Sequence, residues 1–261
     1  MKAVSGVFGS RSDAERAMAA MNSVGLPQDR VTLLTPGDGT GLRSVPTVAA
    51  EQPGMGKAMG AVLGGTAGLS GAALIMAAIP GVGLITAVGL LGSAILAAAG
   101  TGIGATAGAR LENSMTEGLP EDELFVYEDA LRRGRTIVIV LAEDDAAAAR
   151  TRELLKAEGA EAIDAAREQW WIGLRDAERE HYSAQGKNFG NDEKFYRLGF
   201  ESALHARTRC KEYDQVLAEM TAQIEELELQ YPGVSVEEPF TQGYERGRDY
   251  YQQLCDKSQA A

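Results

Sequence analysis

Few residues in this sequence have the types and spacing that catalysis or metal binding requires. The 261 residues include two histidines, His181 and His205, and two cysteines, Cys210 and Cys255. They do not show the short pairwise spacing of a zinc site. Ser202 lies near His205, but no Asp accompanies them to complete a nucleophile–base constellation. We therefore expect no catalytic residue and no metal site.

Two other motifs resemble ligand sites but have simpler interpretations. Gly102 and Gly104 faintly resemble a phosphate-binding loop, but they follow no predicted strand and no Lys-Ser or Lys-Thr pair follows them. The acidic residues 143–145 are interpreted as the N-terminal acids of a helix, with a cation site as the alternative. The sequence thus predicts a protein that has no cofactor and is not an enzyme.

Composition and charge narrow the class of partner. Hydrophobic residues are 45% and charged residues 24% of the chain, as in folded globular proteins. The net charge is −12, shared equally by residues 1–165 and 166–261, so neither part has the basic surplus that nucleic-acid binding requires. The two cysteines and the lack of a signal-peptide core near the N-terminus indicate a reducing, intracellular compartment. A redox-switch bond between the cysteines is the alternative.

The most unusual feature is an interior segment without charge. Residues 58–109 carry no charged side chain, and Pro80-Gly81-Val82-Gly83 interrupts them with a turn signal. Read as helices, residues 58–79 and 84–108 would be about 33 and 37 Å long. Since a bilayer core is about 30 Å thick, the segment predicts a helical hairpin that crosses a membrane and returns.

Small residues recur at four-residue spacing in this segment and form one stripe along each predicted helix. Such a stripe lets two helix backbones approach closely, as in a glycine zipper. We expect self-association of the hairpins through this stripe. Its residues are Gly56, Gly60, Gly64, Gly68, Gly89, Ser93, Gly100, Gly104 and Gly108.

The charges that flank the segment predict its orientation. Arg43, Lys57 and Arg110 lie at its outer ends, whereas the turn has no charge. By the positive-inside rule, both termini are expected to be cytoplasmic and the lipid bilayer of a bacterial cytoplasmic membrane to be a partner. The alternative is a large soluble assembly in the cytoplasm whose hairpins pack inside the particle.

The parts before and after the hairpin predict a single α+β domain. Strand and helix patterns follow one another in residues 3–34, and again in residues 136–165, after a helix that follows Pro120. At an offset of 134 residues, Gly25 corresponds to Gly159. Two βαβ units around an insertion predict a ferredoxin-like sandwich. The expected parts are 1–35 (first half), 36–53 (linker), 54–109 (hairpin), 110–165 (second half) and 166–261 (helical C-terminal domain).

The C-terminal third is helical by pattern and contains a second repeat. Apolar residues recur at three- and four-residue steps from 196 to 231, which predicts one long amphipathic helix or two in line, and a further helix begins near Glu238. At an offset of 44, two aromatic and two small residues recur, which favours a close helix crossing over a binding face. Its residues are Tyr196, Gly199, Phe200 and Ala203, matched by Phe240, Gly243, Tyr244 and Gly247.

Residues 1–165 resemble the bacterial heat-induced or general stress proteins of the YflT-like type. The resemblance rests on the βαβ start, the glycine-rich segment and the stretches ALRRG, TIVIVLAEDDAAAAR and LLKAEGAEAID. It implies a bacterial, stress-linked and membrane-associated role with no established enzymatic activity. We therefore expect a self-assembling scaffold. The alternatives are a soluble shell-like homo-oligomer, a membrane adaptor that tethers an enzyme complex through residues 166–261, and a ligand-sensing domain.

Overall fold

The computed structural model describes residues 2–26, 30–37, 74–79, 82–89, 121–205, 208–209 and 213–259. The chain divides into two compact units. The first, here called the sheet unit, comprises Met1–Pro120 and Tyr127–Ala166, and the second, the helical unit, comprises Glu121–Val126 and Arg167–Ala261. The protein is therefore of the α+β class, with a mostly helical C-terminal part.

The elements follow one another in an order that alternates strands and helices before becoming all-helical. The strands are β1 (Lys2–Phe8), β2 (Val31–Pro36), β3 (Leu74–Ile79), β4 (Gly83–Val88), β5 (Thr136–Ala142) and the two-residue β6 (Glu161–Ala162). The helices are α1 (Arg11–Ser23), α2 (Leu124–Arg132), α3 (Asp145–Ala157), α4 (Ile163–Ser183), α5 (Phe189–Leu204), α6 (Tyr213–Gln230) and α7 (Glu237–Gln259). A 3₁₀ turn, Glu121–Glu123, precedes α2.

The strands form one antiparallel sheet in the order β3-β4-β2-β5-β1-β6. β5 lies at its centre, and residues 136–140 of that strand are all buried. Because every residue of this stretch is buried, both faces of the sheet are covered there. α1 and α3 pack on one face around Phe8, Met21, Val140 and Leu155. This core fixes the positions of the helix ends and of the sheet edges.

The two βαβ segments are built alike, as the offset of 134 predicts. Ser10 caps α1 by accepting a hydrogen bond from the Asp13 amide, and Asp144 caps α3 in the same way from the Ala147 amide. Each helix is followed by a glycine with positive φ, Gly25 at 81° and Gly159 at 90°. A residue with a Cβ is strained there, so both turns require glycine.

The predicted helical hairpin is wrong where the structure describes it. Residues 74–79 and 83–88 form strands β3 and β4, which pair with each other, and β4 pairs with β2. The stretch 84–88 is rich in β-branched residues, which favour strands, and Gly83 adopts a φ of 100° at the turn. β2 presents a row of backbone donors and acceptors that a strand satisfies and a helix does not. Residues 54–73 and 90–109, the rest of the predicted hairpin, lie outside the described residues.

Two smaller predictions also need correction. The apolar run from 196 to 231 is divided between two helices, since α5 ends at Leu204 and α6 begins at Tyr213, so of the two predicted forms the single long helix is wrong. In the second pattern, over residues 136–165, the sequence around 162–165 predicts a last strand, but the strand is limited to Glu161–Ala162 and α4 begins at Ile163. Apolar periodicity continued across the break, so it could not locate the end of α5.

Candidate functional site

The β3–β4 hairpin interrupts the uncharged segment and brings its own first and last residues together. Leu74, the first residue of β3, lies opposite Val88, the last residue of β4, while Ile79 lies opposite Gly83 at the turn. Cα atoms of directly opposed residues in an antiparallel pair are about 4.5–5.5 Å apart. The stretch that ends at residue 73 and the stretch that begins at residue 89 therefore meet the sheet side by side.

Gly89 is the only predicted stripe residue that the structure describes, and it does not lie on a helix. Its φ is 117°, and a Cβ placed on it would lie 2.3 Å from the backbone oxygen of Val31. Gly89 is thus required where β4 ends against β2. The other stripe residues lie outside the described part of the chain: Gly56, Gly60, Gly64, Gly68, Ser93, Gly100, Gly104 and Gly108.

The structure brings together the residues of the second repeat where α5 crosses α7. A Cβ on Gly199 would lie 1.9 Å from the backbone oxygen of Phe240, and a Cβ on Gly243 would lie 1.9 Å from that of Tyr196. Gly199 corresponds to Gly243 and Tyr196 to Phe240, each 44 residues apart, so each glycine meets the partner helix in the same way. The crossing therefore has local two-fold pseudo-symmetry. At each glycine, the hydrogen in place of a side chain points at a carbonyl oxygen, as in a Cα–H···O contact.

The remaining residues of the repeat continue this contact. A Cβ on Gly247 would lie 2.5 Å from the Phe200 oxygen and 2.9 Å from the Cβ of Ala203. Phe240 and Tyr244 are buried and pack with Ala203. The crossing is a close packing contact between two helices of the helical unit, and its aromatic side chains are buried in that contact.

A buried charged cluster joins three helices of the same unit. The Glu178 carboxylate on α4 is 2% exposed. It accepts two hydrogen bonds from the guanidinium of Arg246 on α7, at 3.0 and 3.1 Å, and one of 2.8 Å from the hydroxyl of Tyr196 on α5. A fully paired buried carboxylate of this kind fixes the arrangement of its helices. Sequence patterns do not reveal this cluster, because its members are up to 68 residues apart.

Both tryptophans belong to the core of the helical unit. Trp170 and Trp171 are 3% and 1% exposed. The Trp171 indole donates a 3.0 Å hydrogen bond to Glu193, which also binds the Arg175 guanidinium through two bonds of 2.6 Å. Because of the Arg175 hydrogen bonds, with a smaller effect from Trp171, the pKa of Glu193 is below its usual range.

The residues considered for chemistry have separate partners. The Ser202 hydroxyl lies 3.0 Å from the Gln223 side-chain oxygen, and His205 Nδ1 lies 3.6 Å from Asp122. In the acidic stretch 143–145, Asp144 caps α3, and the two flanking acids form ion pairs with Arg30 and Lys2. No group of three or more His, Cys, Asp or Glu side chains among the described residues is arranged to hold a metal ion.

A cavity of about 490 Å³ lies in the sheet unit between the end of α1 and the side of α3. Leu26, Leu141 and Leu154 supply apolar lining, and its charged lining residues are Arg30, Arg150 and Glu143. Arg30 is paired with Glu143, whereas Arg150 forms no ion pair with a described residue. Its volume is in the range of small-molecule sites, and the charges suit an anion. No pattern in the sequence indicates this cavity.

Within the described residues, no helix has both the length and the apolar character needed to cross a membrane. No protein-family model matches the chain, and no curated protein or solved structure is detectably similar to it.

Proposed function

We propose that this chain is a non-enzymatic, self-assembling scaffold protein that associates with its own copies through the glycine-rich stretches on either side of the β3–β4 hairpin. The observation that carries the proposal is the pairing of Leu74 with Val88. Leu74 directly follows the stretch 58–73, and Val88 lies two residues before the stretch 90–109. Both stretches are uncharged and carry small residues at four-residue spacing. Close backbone packing between such stripes offsets the cost of glycine in a helix, about 1 kcal/mol per residue.

The sheet unit supplies the frame for this assembly. Its strands β6-β1-β5-β2 are antiparallel, and each βαβ connection places one strand between the two that it joins. This order is that of a ferredoxin-like sandwich, which we propose as the fold of the sheet unit, with the uncharged segment inserted at its midpoint. The β3–β4 hairpin extends the β2 edge of the sandwich and so anchors the insertion.

We place the assembly at the bacterial cytoplasmic membrane, with both termini cytoplasmic. As helices, the sixteen residues 58–73 and the twenty residues 90–109 would span about 24 and 30 Å, against a bilayer core of about 30 Å. Strands β4 and β5, on either side of the second stretch, belong to one sheet, so this stretch cannot end on the far side of the membrane. We propose that both stretches enter the bilayer from its cytoplasmic side and return to that side. A bundle formed by several copies hides the uncharged surface from water.

Replacement of single stripe glycines tests the proposal. Gly64→Leu and Gly104→Leu put a large side chain into the predicted contact and are expected to reduce the particle mass measured by light scattering in mild detergent. Ala19→Leu is the control, because Ala19 is exposed on α1 and gains the same side chain away from the stripe. Unchanged mass in both glycine variants would refute the proposal.

Fractionation without detergent decides the location. The membrane assembly is expected in the pellet with the lipid and is released only by detergent. Recovery of one large particle from the high-speed supernatant would instead support the soluble, shell-like assembly. A detergent-free monomer would contradict both versions.

The cavity between α1 and α3 favours a second candidate function, ligand sensing by the sheet unit. Arg30 and Arg150 above leucine walls suit a carboxylate on an apolar body, such as octanoate. Titration calorimetry of the native protein and of Arg150→Gln tests this function. Binding that Arg150→Gln weakens at least tenfold would support it, and absence of heat with the native protein would exclude octanoate-like ligands.

A further inference from the structure

The sheet has two edges that differ in how they are protected. β6 is only two residues long, and its Glu161 carries a charge that is paired with Arg135. β3, at the other edge, is six residues long and contains neither a charge nor a proline. Proteins normally shorten, charge or interrupt edge strands, because the free backbone groups of an edge bind further strands. β6 follows this rule and β3 does not.

One side of β3 is fully paired, and no described strand lies on its other side. All six residues of β3 pair with β4. No strand among the described residues pairs with its outer side. That side presents a row of backbone N–H and C=O groups about 20 Å long. The partner that fits it is another uncharged extended strand.

We propose that the outer edge of β3 binds the β3 of a second copy of this chain in antiparallel fashion, so that two six-stranded sheets become one of twelve strands. The inference rests on the proposed function, self-association, and identifies a surface for it. With the two-fold axis at Met76, Met76 lies opposite its own copy, Ile75 opposite Ala77, and Leu74 opposite Ala78. All cross-strand pairs are then apolar, and no like charges meet.

This arrangement gives the glycine-rich stretches a defined role. In this pair, Leu74 of one copy lies beside Ala78 of the other, so the two Leu74 positions are about 13 Å apart along the strands. The stretches of the two copies leave from opposite ends of the joined edge. They are free to bind the stretches of other dimers. A closed two-fold contact combined with a second contact of this kind builds assemblies larger than a dimer.

Lysine substitution tests the edge contact directly. Ala77 and Ala78 are consecutive residues of the strand, and consecutive residues face opposite sides of a sheet. Ala77→Lys therefore places a charge on one face, and Ala78→Lys places it on the other. The variants are made in the Gly64→Leu background, where the glycine contact is removed. We expect Gly64→Leu to be a dimer by light scattering and each double variant to be a monomer. Leu229→Lys is the matched control, because Leu229 is 85% exposed on α6.

The outcomes separate the two proposals. A Gly64→Leu protein that is already a monomer overturns the edge contact and leaves the glycine contact standing. A Gly64→Leu protein of native mass refutes the glycine contact, and the single lysine variants then decide the edge contact by losing or keeping mass.

Amide hydrogen exchange distinguishes a second copy from the chain's own residues as the occupant of the edge. For a dimer, protection of residues 74–79 is expected to increase with protein concentration. Protection that is independent of concentration would overturn the inference. Protection of residues 83–88 in the lysine variants verifies that the hairpin itself has formed.

Discussion

The crossing of α5 and α7 predicts that one methyl group will separate two helices. In Gly243→Ala the new Cβ would lie 1.9 Å from the Tyr196 oxygen, whereas ordinary contacts begin at 3.4 Å. The obstacle is a backbone oxygen that cannot rotate away, so the helices must move apart by about 1.5 Å. Overpacking of this kind costs about 1–3 kcal/mol, and the backbone contact places it near the upper end.

The Gly243→Ala substitution also raises the intrinsic helix propensity at this position. Alanine is better than glycine in a helix interior by about 1 kcal/mol. The expected net loss is about 2 kcal/mol in the free energy of unfolding of the helical unit. For a domain of about 100 residues this corresponds to a lowering of Tm by about 10 °C.

Tryptophan fluorescence measures this change selectively. The two tryptophans of the chain, Trp170 and Trp171, are both buried in the helical unit. Gly190→Ala is the control in α5, because a Cβ there meets only the Asn188 side chain, at 3.4 Å. We expect Gly190→Ala to leave Tm unchanged or raise it. A Gly243→Ala protein as stable as Gly190→Ala would refute the backbone contact.

Combining the substitutions on both sides of the crossing tests its pseudo-symmetry. Gly199→Ala alone is expected to cost as much as Gly243→Ala, because each Cβ meets a carbonyl oxygen at the same distance. Once the helices have separated, the second methyl group costs less, so the double variant should lose less than the sum. Additive losses would indicate two independent contacts.

Three further predictions concern other parts of the structure. Arg246→Met leaves the buried Glu178 carboxylate without its cation and should lower the free energy of unfolding by about 3–5 kcal/mol, and Glu178→Gln added to it should recover part of the loss in urea titrations. The hydrogen bonds from Arg175 lower the pKa of Glu193 in the folded protein. The contribution of Glu193 to stability is therefore complete above about pH 4.5 and is lost as the pH falls through this lower folded pKa. Glu193→Gln should flatten the acid dependence of Tm, and an unchanged dependence would contradict the assignment. Gly89→Ala forces a Cβ against a backbone oxygen at positive φ and should destabilise the sheet unit by about 2 kcal/mol in circular-dichroism melts, whereas a native-like melt would show that β4 does not end in this way.

Local signals in the sequence were sufficient for much of the fold. Helix α1 was predictable from its cap at Ser10 and its glycine at Gly25, because capping depends on residues within one turn. The repeat that relates Gly199 to Gly243 was also sufficient to predict a close crossing, because regularly spaced glycines on a helix allow another helix backbone to pack closely against it.

The sequence alone could not identify the sites made by distant residues. Glu178 and Arg246 are 68 residues apart, and neither has a distinctive neighbour in sequence. The cavity margin joins Arg30 to Arg150 in the same way, through the packing of α1 and α3 on the sheet. Surface charges of this kind are common, and only tertiary contact gives them a role.

For the uncharged segment, the sequence determined some properties and the tertiary structure determined others. The sequence determined that residues 58–109 carry no charge, which predicts that they avoid water. It did not determine their local structure, since an apolar run without polar alternation is compatible with a buried helix or a buried strand. For residues 74–79 and 83–88 the tertiary structure decided, because β4 pairs with the backbone groups on the outer side of β2, which a helix would leave unpaired, and β3 pairs with β4.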